Sequence, residues 1–449
     1  MTLTASRRRP PGPPFWAAPK LLWKLGRDRL GLMSSAADAF GDAARIAIGP
    51  KVLFFFNHPN HAKHVLADNP DNYHKGVGLA QAKRALGDGL LTSEGDLWRK
   101  QRRVIQPVFQ PKRIARQADV VAEEAGRFVD RLRGHIGRGP VDIAGAATGL
   151  TLGVLGRTLL DADLGGLGDV GGSFEAMQDQ AMFEMVTMSA VPMWVPLPHQ
   201  VRFRRARRHL QTVVNELVDA RGGRLDGDDA LSRLIQSTNA EPDAAVGQRR
   251  LRDELVTLCL AGHETTASTL SWTFHLLDEN PAVWERLRAE ALSVLGERQP
   301  TFDDLHRLRY TTTVIEEAMR LYPPVWMLSR IPQKADTIGG YDVPAGVDVL
   351  ICPYTLHRNP EFWPEPERFR PERFDKDGTA SRPRYAYIPF GAGPRFCVGN
   401  NLGMMEAAFV VAMVARELRL AKVPGYRVVP EPMLSLRVRG GLPMTVHEA

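Results

Sequence analysis

One loop constrains this chain more than any other part of it: Phe390-Gly391-Ala392-Gly393-Pro394-Arg395-Phe396-Cys397-Val398-Gly399. A glycine-rich turn carries a single cysteine, and an amphipathic helical pattern begins near Asn400 and runs through about Leu418. Glycines let backbone turn tightly and come close to a flat object. A helix N-terminus presents its positive end to the cysteine and stabilises a thiolate. Two other chemistries fail on spacing. A zinc site needs a second Cys or His at CxxC distance, and a dinucleotide loop needs glycine where Phe396 stands. A lone, cradled thiolate suits a haem iron, which takes one axial protein ligand and keeps its other face open.

The remaining composition narrows the setting. Of the 449 residues 44% are hydrophobic and 24% charged, which excludes disordered and collagen-like chains. Three cysteines, Cys259, Cys352 and Cys397, argue against a disulfide framework and for a reducing compartment. The net charge of +7 fits a mildly basic surface or a docking face for an acidic partner. Nucleic acid is not expected, because the arginines are scattered with no base-stacking motif among them. No membrane span is expected either: the longest uncharged run, Met185 to Val201, contains Pro192, Pro196 and Pro198. Arg7-Arg8-Arg9 leads into prolines without the apolar stretch of a signal peptide, so a cytoplasmic location is expected. Phe15, Trp16, Leu21, Leu22 and Trp23 beside Lys20 and Lys24 fit either of two roles, grazing a bilayer or packing onto the domain.

Residues 44–49 and 52–56 read as two strands around Gly49-Pro50, and helical patterns dominate from about 60 to 330. The polar, Gly- and Asp-rich stretch 222–248 is too short for a domain boundary. Strand signals return at 336–354, at 434–438 and at 444–447, the last two separated by Gly440-Gly441. Between Arg358 and Pro389 lies a Pro-rich, aromatic segment of little periodicity, a kind of segment that is usually functional. The expectation is a mainly α chain with a smaller β region: a basic, Pro-rich lead-in over 1–39 and one large domain over 40–449.

The cysteine loop matches, at every fixed position, the haem-binding signature F-G-x-G-x-R-x-C-x-G of the cytochrome P-450 superfamily. Three further motifs resemble the family's in its order, from about residue 40 to the end. Ala261-Gly262-His263-Glu264-Thr265-Thr266 lies in a helical stretch from about Leu251 to Asn280, stopped by Pro281. Ala and Gly leave room for a porphyrin, and the Thr265 hydroxyl can return to the Ala261 carbonyl and loosen the helix. A zinc protease would need His where Ala267 stands. Glu317-Ala-Met-Arg320, on a helix over 312–322, precedes Pro371-Glu372-Arg373-Phe374, resembling the family's Glu-Arg-Arg triad. Pro366-Glu367-Arg368-Phe369 repeats the tetrapeptide, so Arg368 is an alternative third member. Trp98 and Arg102 share a helix face in Trp98-Arg99-Lys100-Gln101-Arg102.

The resemblance implies a cytochrome P-450 fold and a monooxygenase that places one oxygen atom of O2 into a hydrophobic small molecule. It implies haem b (iron protoporphyrin IX) with Cys397 as iron ligand. Phe390, Gly391, Gly393, Arg395, Gly399 and Ala261 would lie against the haem, and Trp98, Arg102, Arg330 and Arg395 would hold its propionates. Glu264 and Thr265 are the implied proton-delivering pair, while Glu317, Arg320 and Arg373 are structural. Residues 73–97, the Met-rich stretch 177–193, Ala261 and Val325-Trp326-Met327-Leu328 would line the substrate side, though methionine stripes are also plain core. Arg99, Lys100, Arg103, Lys112, Arg113 and Arg116 fit docking of an acidic ferredoxin or flavodoxin supplied by an NAD(P)H reductase, or a solvated charged face. The expected substrate is a terpenoid first and a fatty acid or polyketide second, and the enzyme a monomer. A haem-thiolate isomerase, dehydratase or peroxygenase, and a non-catalytic haem sensor, are the alternatives.

Overall fold

Phe54-Phe55-Phe56 and Val349-Leu350-Ile351 are buried on both faces, which calls for strands inside a covered sheet rather than at its surface. The computed structural model describes residues 8–48, 51–164, 169–187, 189–223, 227, 229–380 and 382–449. Arg7, the Gly49-Pro50 turn, Met188 and part of 222–248 lie outside the described residues. Helix takes 60% of the chain and strand 11%, so the fold is mainly α with a minor β part. Two units emerge, each gathered from several stretches of chain.

The first unit comprises Met1–Ala80, Arg320–Arg368 and Lys376–Cys397. Its strands are β1 (Ala43–Ile48), β2 (Lys51–Phe56), β3 (Tyr73–Lys75), β4 (Leu328–Pro332), β5 (Asp336–Ile338), β6 (Tyr341–Val343) and β7 (Asp348–Ile351). The main sheet runs β1-β2-β7-β4-β3. β1 and β2 pair antiparallel, Ala43 opposite Phe56, whereas β2 and β7 are parallel, Phe56 opposite Ile351. That parallel pair joins the chain's start to a segment almost three hundred residues later, and the core of Phe54, Phe56, Tyr73, Val349, Ile351 and Ile388 forms around it. Within the stretch of strand signals over 336–354, β5 and β6 pair antiparallel, with Gly339 and Gly340 between them at φ +57° and +79°. Two helices, α1 (Ala18–Arg27) and α2 (Arg29–Phe40), adjoin β1. The residues ahead of them are tied in as well, since Arg45 N–H donates to Pro11 O at 2.6 Å.

The second unit comprises Gln81–Met319, Phe369–Asp375 and Val398–Ala449. It contains α3 (Gly95–Ile105), the long α4 (Ala244–Glu279) and α5 (Asn400–Glu417). Asp243 caps α4 by accepting from Ala245 N–H at 2.8 Å. The helix therefore starts several residues before the expected Leu251. The Ile143–Leu155 helix packs on α4, so closely that a Cβ on Gly262 would stand 2.4 Å from Leu155 Cδ1. The stretch Ile143–Leu160 is long and apolar enough to cross a bilayer by composition, yet 56% of it is buried in the protein, which is why it is apolar. α5 is buried on every face over much of its length: Met405 through Ala415, Glu406 included, are all buried, between Ala118–Arg133 and Pro281–Leu295.

β8 (Leu418–Lys422), β9 (Pro430–Pro432), β10 (Leu436–Val438) and β11 (Pro443–Glu448) do not form a β10–β11 hairpin across Gly440-Gly441. β10 pairs back on β9, and β11 pairs with β8 and with Val141–Asp142.

Candidate active site

In the first unit the cysteine loop is set by its glycines. Gly391 and Gly393 sit at φ +71° and +67°, where a side chain is strained. A Cβ on Gly393 would also stand 1.8 Å from Leu66 O, so only glycine fits. Gly391 N–H donates to Ile388 O, and Cys397 N–H returns to Phe390 O, both at 3.0 Å. The two bonds close a ring of backbone that holds Cys397 beside Phe390, with the Phe390 and Phe396 rings 6.3 Å apart.

Cys397 is an exposed residue, whereas Cys259 and Cys352 are buried. Burial pushes their thiols up to about 12 and about 11, so neither presents a thiolate near neutrality. No cluster of three or more His, Cys, Asp or Glu capable of holding a metal occurs among the described residues. A lone exposed cysteine on a glycine-shaped loop would suit a metal held within a prosthetic group, to which the protein adds a single sulfur.

A buried guanidinium supports this loop. Arg320 is wholly buried and donates to the carbonyls of His357, Pro366 and Arg368 at 3.0, 2.7 and 3.2 Å. It lies 5.2 Å from the Trp363 ring centre. His357 Nε2 in turn accepts the N–H of Ile388, the residue from which the loop departs, at 2.9 Å. Three carbonyls thus offset the cost of burying the charge and tie the irregular segment to the loop. Arg320→Ala is expected to destabilise the protein by roughly 3–5 kcal/mol, read as a lower denaturant midpoint, because the carbonyls lose their donors. Arg368→Ala is expected to leave the midpoint unchanged, since that side chain is 65% exposed and pairs with the exposed Glu365.

Arg330, on β4, is buried and donates to Ser329 O at 2.8 Å, and Arg395 is half-buried in the turn Gly393–Arg395. Val325, Met327 and Leu328 are half-buried, but Trp326 is core, its carbonyl accepting from Cys352 Sγ at 3.1 Å.

The second unit carries the acid–alcohol pair on α4. The Thr265 hydroxyl donates to Ala261 O at 2.8 Å, the bond the spacing predicts. Thr269 repeats it on Thr265 O and Thr273 on Thr269 O, at 2.9 and 2.7 Å. The helix is not loosened, however: 261–265 stay α-helical, because each hydroxyl shares the carbonyl without displacing its backbone partner. Ala261 is exposed.

Glu264 is half-buried as a residue, but its carboxyl is closed off from solvent and no hydrogen bond reaches Oε1 among the described residues. Burial raises it to about 7, while the neighbouring Ser435 hydroxyl and Arg437 guanidinium pull the other way. His263 is core: it shares a 2.6 Å hydrogen bond with Cys259 O, and burial lowers it to about 4.

Ser435 and Arg437 escape a reading of the sequence. The β9–β10 hairpin brings them in, anchored where Ser268 Oγ and Trp272 Nε1 both donate to Leu436 O, at 2.5 and 2.8 Å. Arg437 is held in place by Glu431 at 2.7 Å. No local motif marks either residue.

On α3, Trp98 and Arg102 are both half-buried one turn apart, and Arg102 Nε donates to Gln106 Oε1 at 3.2 Å. Gly399 caps α5. Glu317 is fully buried; it accepts from Arg370 N–H at 2.8 Å and lies 3.3 Å from Arg373 Nε. In the basic run, Arg99 pairs with Asp96 and Lys100 with Glu241, leaving Arg103, Lys112 and Arg116 exposed. Met177 and Met182 are core.

The profile of the family described as Cytochrome P450 matches residues 10–441. The chain belongs to the cytochrome P450 family. It is 34% identical to cyclooctatin synthase of Streptomyces melanosporofaciens, with 89% of this chain and 87% of the relative covered. It is 36% identical to cyclooctat-9-en-7-ol 5-monooxygenase of the same organism, over 86% and 84%. It is 31% identical to the chloroplastic carotene epsilon-monooxygenase of Arabidopsis thaliana, over 91% and 80%. This P450 is an oxygen-incorporating oxidoreductase, and its family implies a haem-thiolate group, O2, a hydrophobic substrate and an electron-transfer partner.

Proposed function

We propose that this P450 hydroxylates or epoxidises a terpenoid, with Cys397 as the ligand of haem b. The exposed Cys397, on a loop set by two positive-φ glycines, carries the reading. The bound haem would supply activation of O2, with thiolate donation favouring O–O cleavage. Phe390, Gly391, Gly393 and Gly399 shape the approach to it, Ala261 leaves room on α4, and Trp98, Arg102, Arg330 and Arg395 supply donors for its carboxylates.

Glu264 holds a proton at its closed-off carboxyl, and the Thr265 hydroxyl next to it on the helix accepts and passes that proton on. Glu317, Arg320 and Arg373 keep the surrounding segments in place and touch no substrate. Arg103, Lys112 and Arg116 offer an exposed cationic face to an acidic ferredoxin or flavodoxin with its NAD(P)H reductase, in the cytoplasm. The terpenoid assignment draws on two relatives named for cyclooctatin and its alcohol precursor and on a third named for carotene.

A reconstitution with a surrogate ferredoxin pair tests it. Cyclic terpenes and terpene alcohols are expected to consume NADPH and yield products one oxygen heavier. Turnover of fatty acids in preference to every terpene offered would refute the substrate class. Product formation that needs no reductant would refute the monooxygenase reading.

A further inference from the structure

The segment leading through α1 turns its apolar side chains away from the protein. Phe15, Trp16, Leu22 and Trp23 are 84%, 71%, 51% and 58% exposed, and no residue of α1 is buried. Along the helix, Phe15/Trp16, Pro19, Leu22/Trp23 and Gly26 recur three or four residues apart and form one face, exposed throughout. The opposite side, with Ala18, Leu21 and Leu25, is only half-buried. Of the residues for which the sequence offers two roles, Leu21 is half-buried toward the domain, whereas Phe15, Trp16, Leu22 and Trp23 are exposed.

The segment itself is rich in cations, and the exposed Asp28 follows it directly. Residues 1–27 contain six Lys and Arg and no Asp or Glu. Arg8, Arg9, Lys20 and Arg27 are exposed, and Arg27 lies 5.9 Å from the Trp23 ring centre. The other exposed large apolar side chains among the described residues, Val186, Trp194, Leu292 and Phe396, are scattered along the chain.

An exposed Trp/Phe/Leu face within a cation-rich segment is the pattern of a helix lying in a membrane interface. Indoles favour that depth because the ring is apolar and the N–H stays wet, and the cations meet anionic headgroups. We propose that Phe15–Arg27 lays this face on a bilayer bearing anionic lipid, docking the enzyme at a surface where hydrophobic molecules concentrate. The contact is peripheral and requires no span.

Vesicle sedimentation of the purified full-length holoprotein tests the idea, using phosphatidylcholine alone and phosphatidylcholine mixed equally with phosphatidylglycerol. The expected result is binding at least ~10-fold tighter to the anionic vesicles, weakened by salt, with tryptophan fluorescence quenched by brominated acyl chains. The double variant Trp16→Ser/Trp23→Ser is expected to lose the quenching and about 10-fold in affinity. Lys20→Glu/Arg27→Glu is expected to lose the preference for anionic lipid. These side chains are exposed, so near-UV circular dichroism should show both variants folded. No sedimentation with either vesicle overturns the proposal, as does binding that neither variant alters. Binding to an immobilised acidic protein without vesicle binding would assign the face to a protein partner instead.

Discussion

Cys397→Ser is expected to abolish the strongly red-shifted Soret band of the reduced protein under carbon monoxide, and oxygen-dependent turnover with it. The other two sulfurs cannot substitute. Cys259 and Cys352 are buried, and their thiols are pushed up to about 12 and about 11 by desolvation. A serine hydroxyl keeps the shape of the loop but offers no thiolate at any accessible pH, so the backbone bonds of Phe390, Gly391 and Cys397 survive while the ligand does not. Cys259→Ala and Cys352→Ala serve as controls and should retain the band. A variant that binds haem but absorbs where imidazole-ligated haem absorbs supports the assignment as fully as complete loss does, because the sulfur at 397 then set the spectrum. An unchanged band in Cys397→Ser would overturn the ligand assignment and the chemistry built on it.

What the sequence makes legible here is what is local. The positive-φ glycines of the cysteine loop and the Thr265–Ala261 bond each follow from a few adjacent residues, and each is present. Longer-range features are hidden. The start of α4 lies inside a polar stretch without apolar periodicity, and only the Asp243 cap marks it. α5 reads as amphipathic because of its scattered polar residues, yet helices on both sides bury it.

Two Pro-Glu-Arg-Phe tetrapeptides cannot be told apart by composition. The fold separates them, with the Arg373 side chain 4% exposed against Glu317 and that of Arg368 65% exposed against Glu365. Gly440-Gly441 separates two strand signals, but a turn signal does not choose strand partners, and β10 finds its partner in β9. Ser435 and Arg437 reach Glu264 only through that pairing, so no reading of the 261–266 motif could include them.

Their effect on Glu264 leads to the second large expectation. The carboxyl is raised from 4.5 to about 7, with burial as the main cause. A carboxyl raised in the folded state weakens folding as pH climbs: the penalty is absent below the unfolded value near 4.5 and complete above about 7. At full ionisation the shift corresponds to roughly 3 kcal/mol. Glu264→Gln removes the penalty, so its melting temperature should exceed the parent's by more at pH 8 than at pH 5. Turnover should move the other way. A group near 7 exchanges protons readily around neutrality, and replacing it with an amide is expected to cost about 10²-fold in oxygen-dependent rate. The parent's rate should decline above about pH 7 as the carboxyl gives up its proton, and the Gln variant should show no such inflection. Arg437→Gln withdraws a charge that favours the carboxylate, so the inflection should shift to higher pH while the ability to titrate remains. If Glu264→Gln kept both the parent's rate and its inflection, the proton would have to travel by another route. The stability difference between pH 5 and pH 8 would then still report whether the carboxyl is buried as the structure has it.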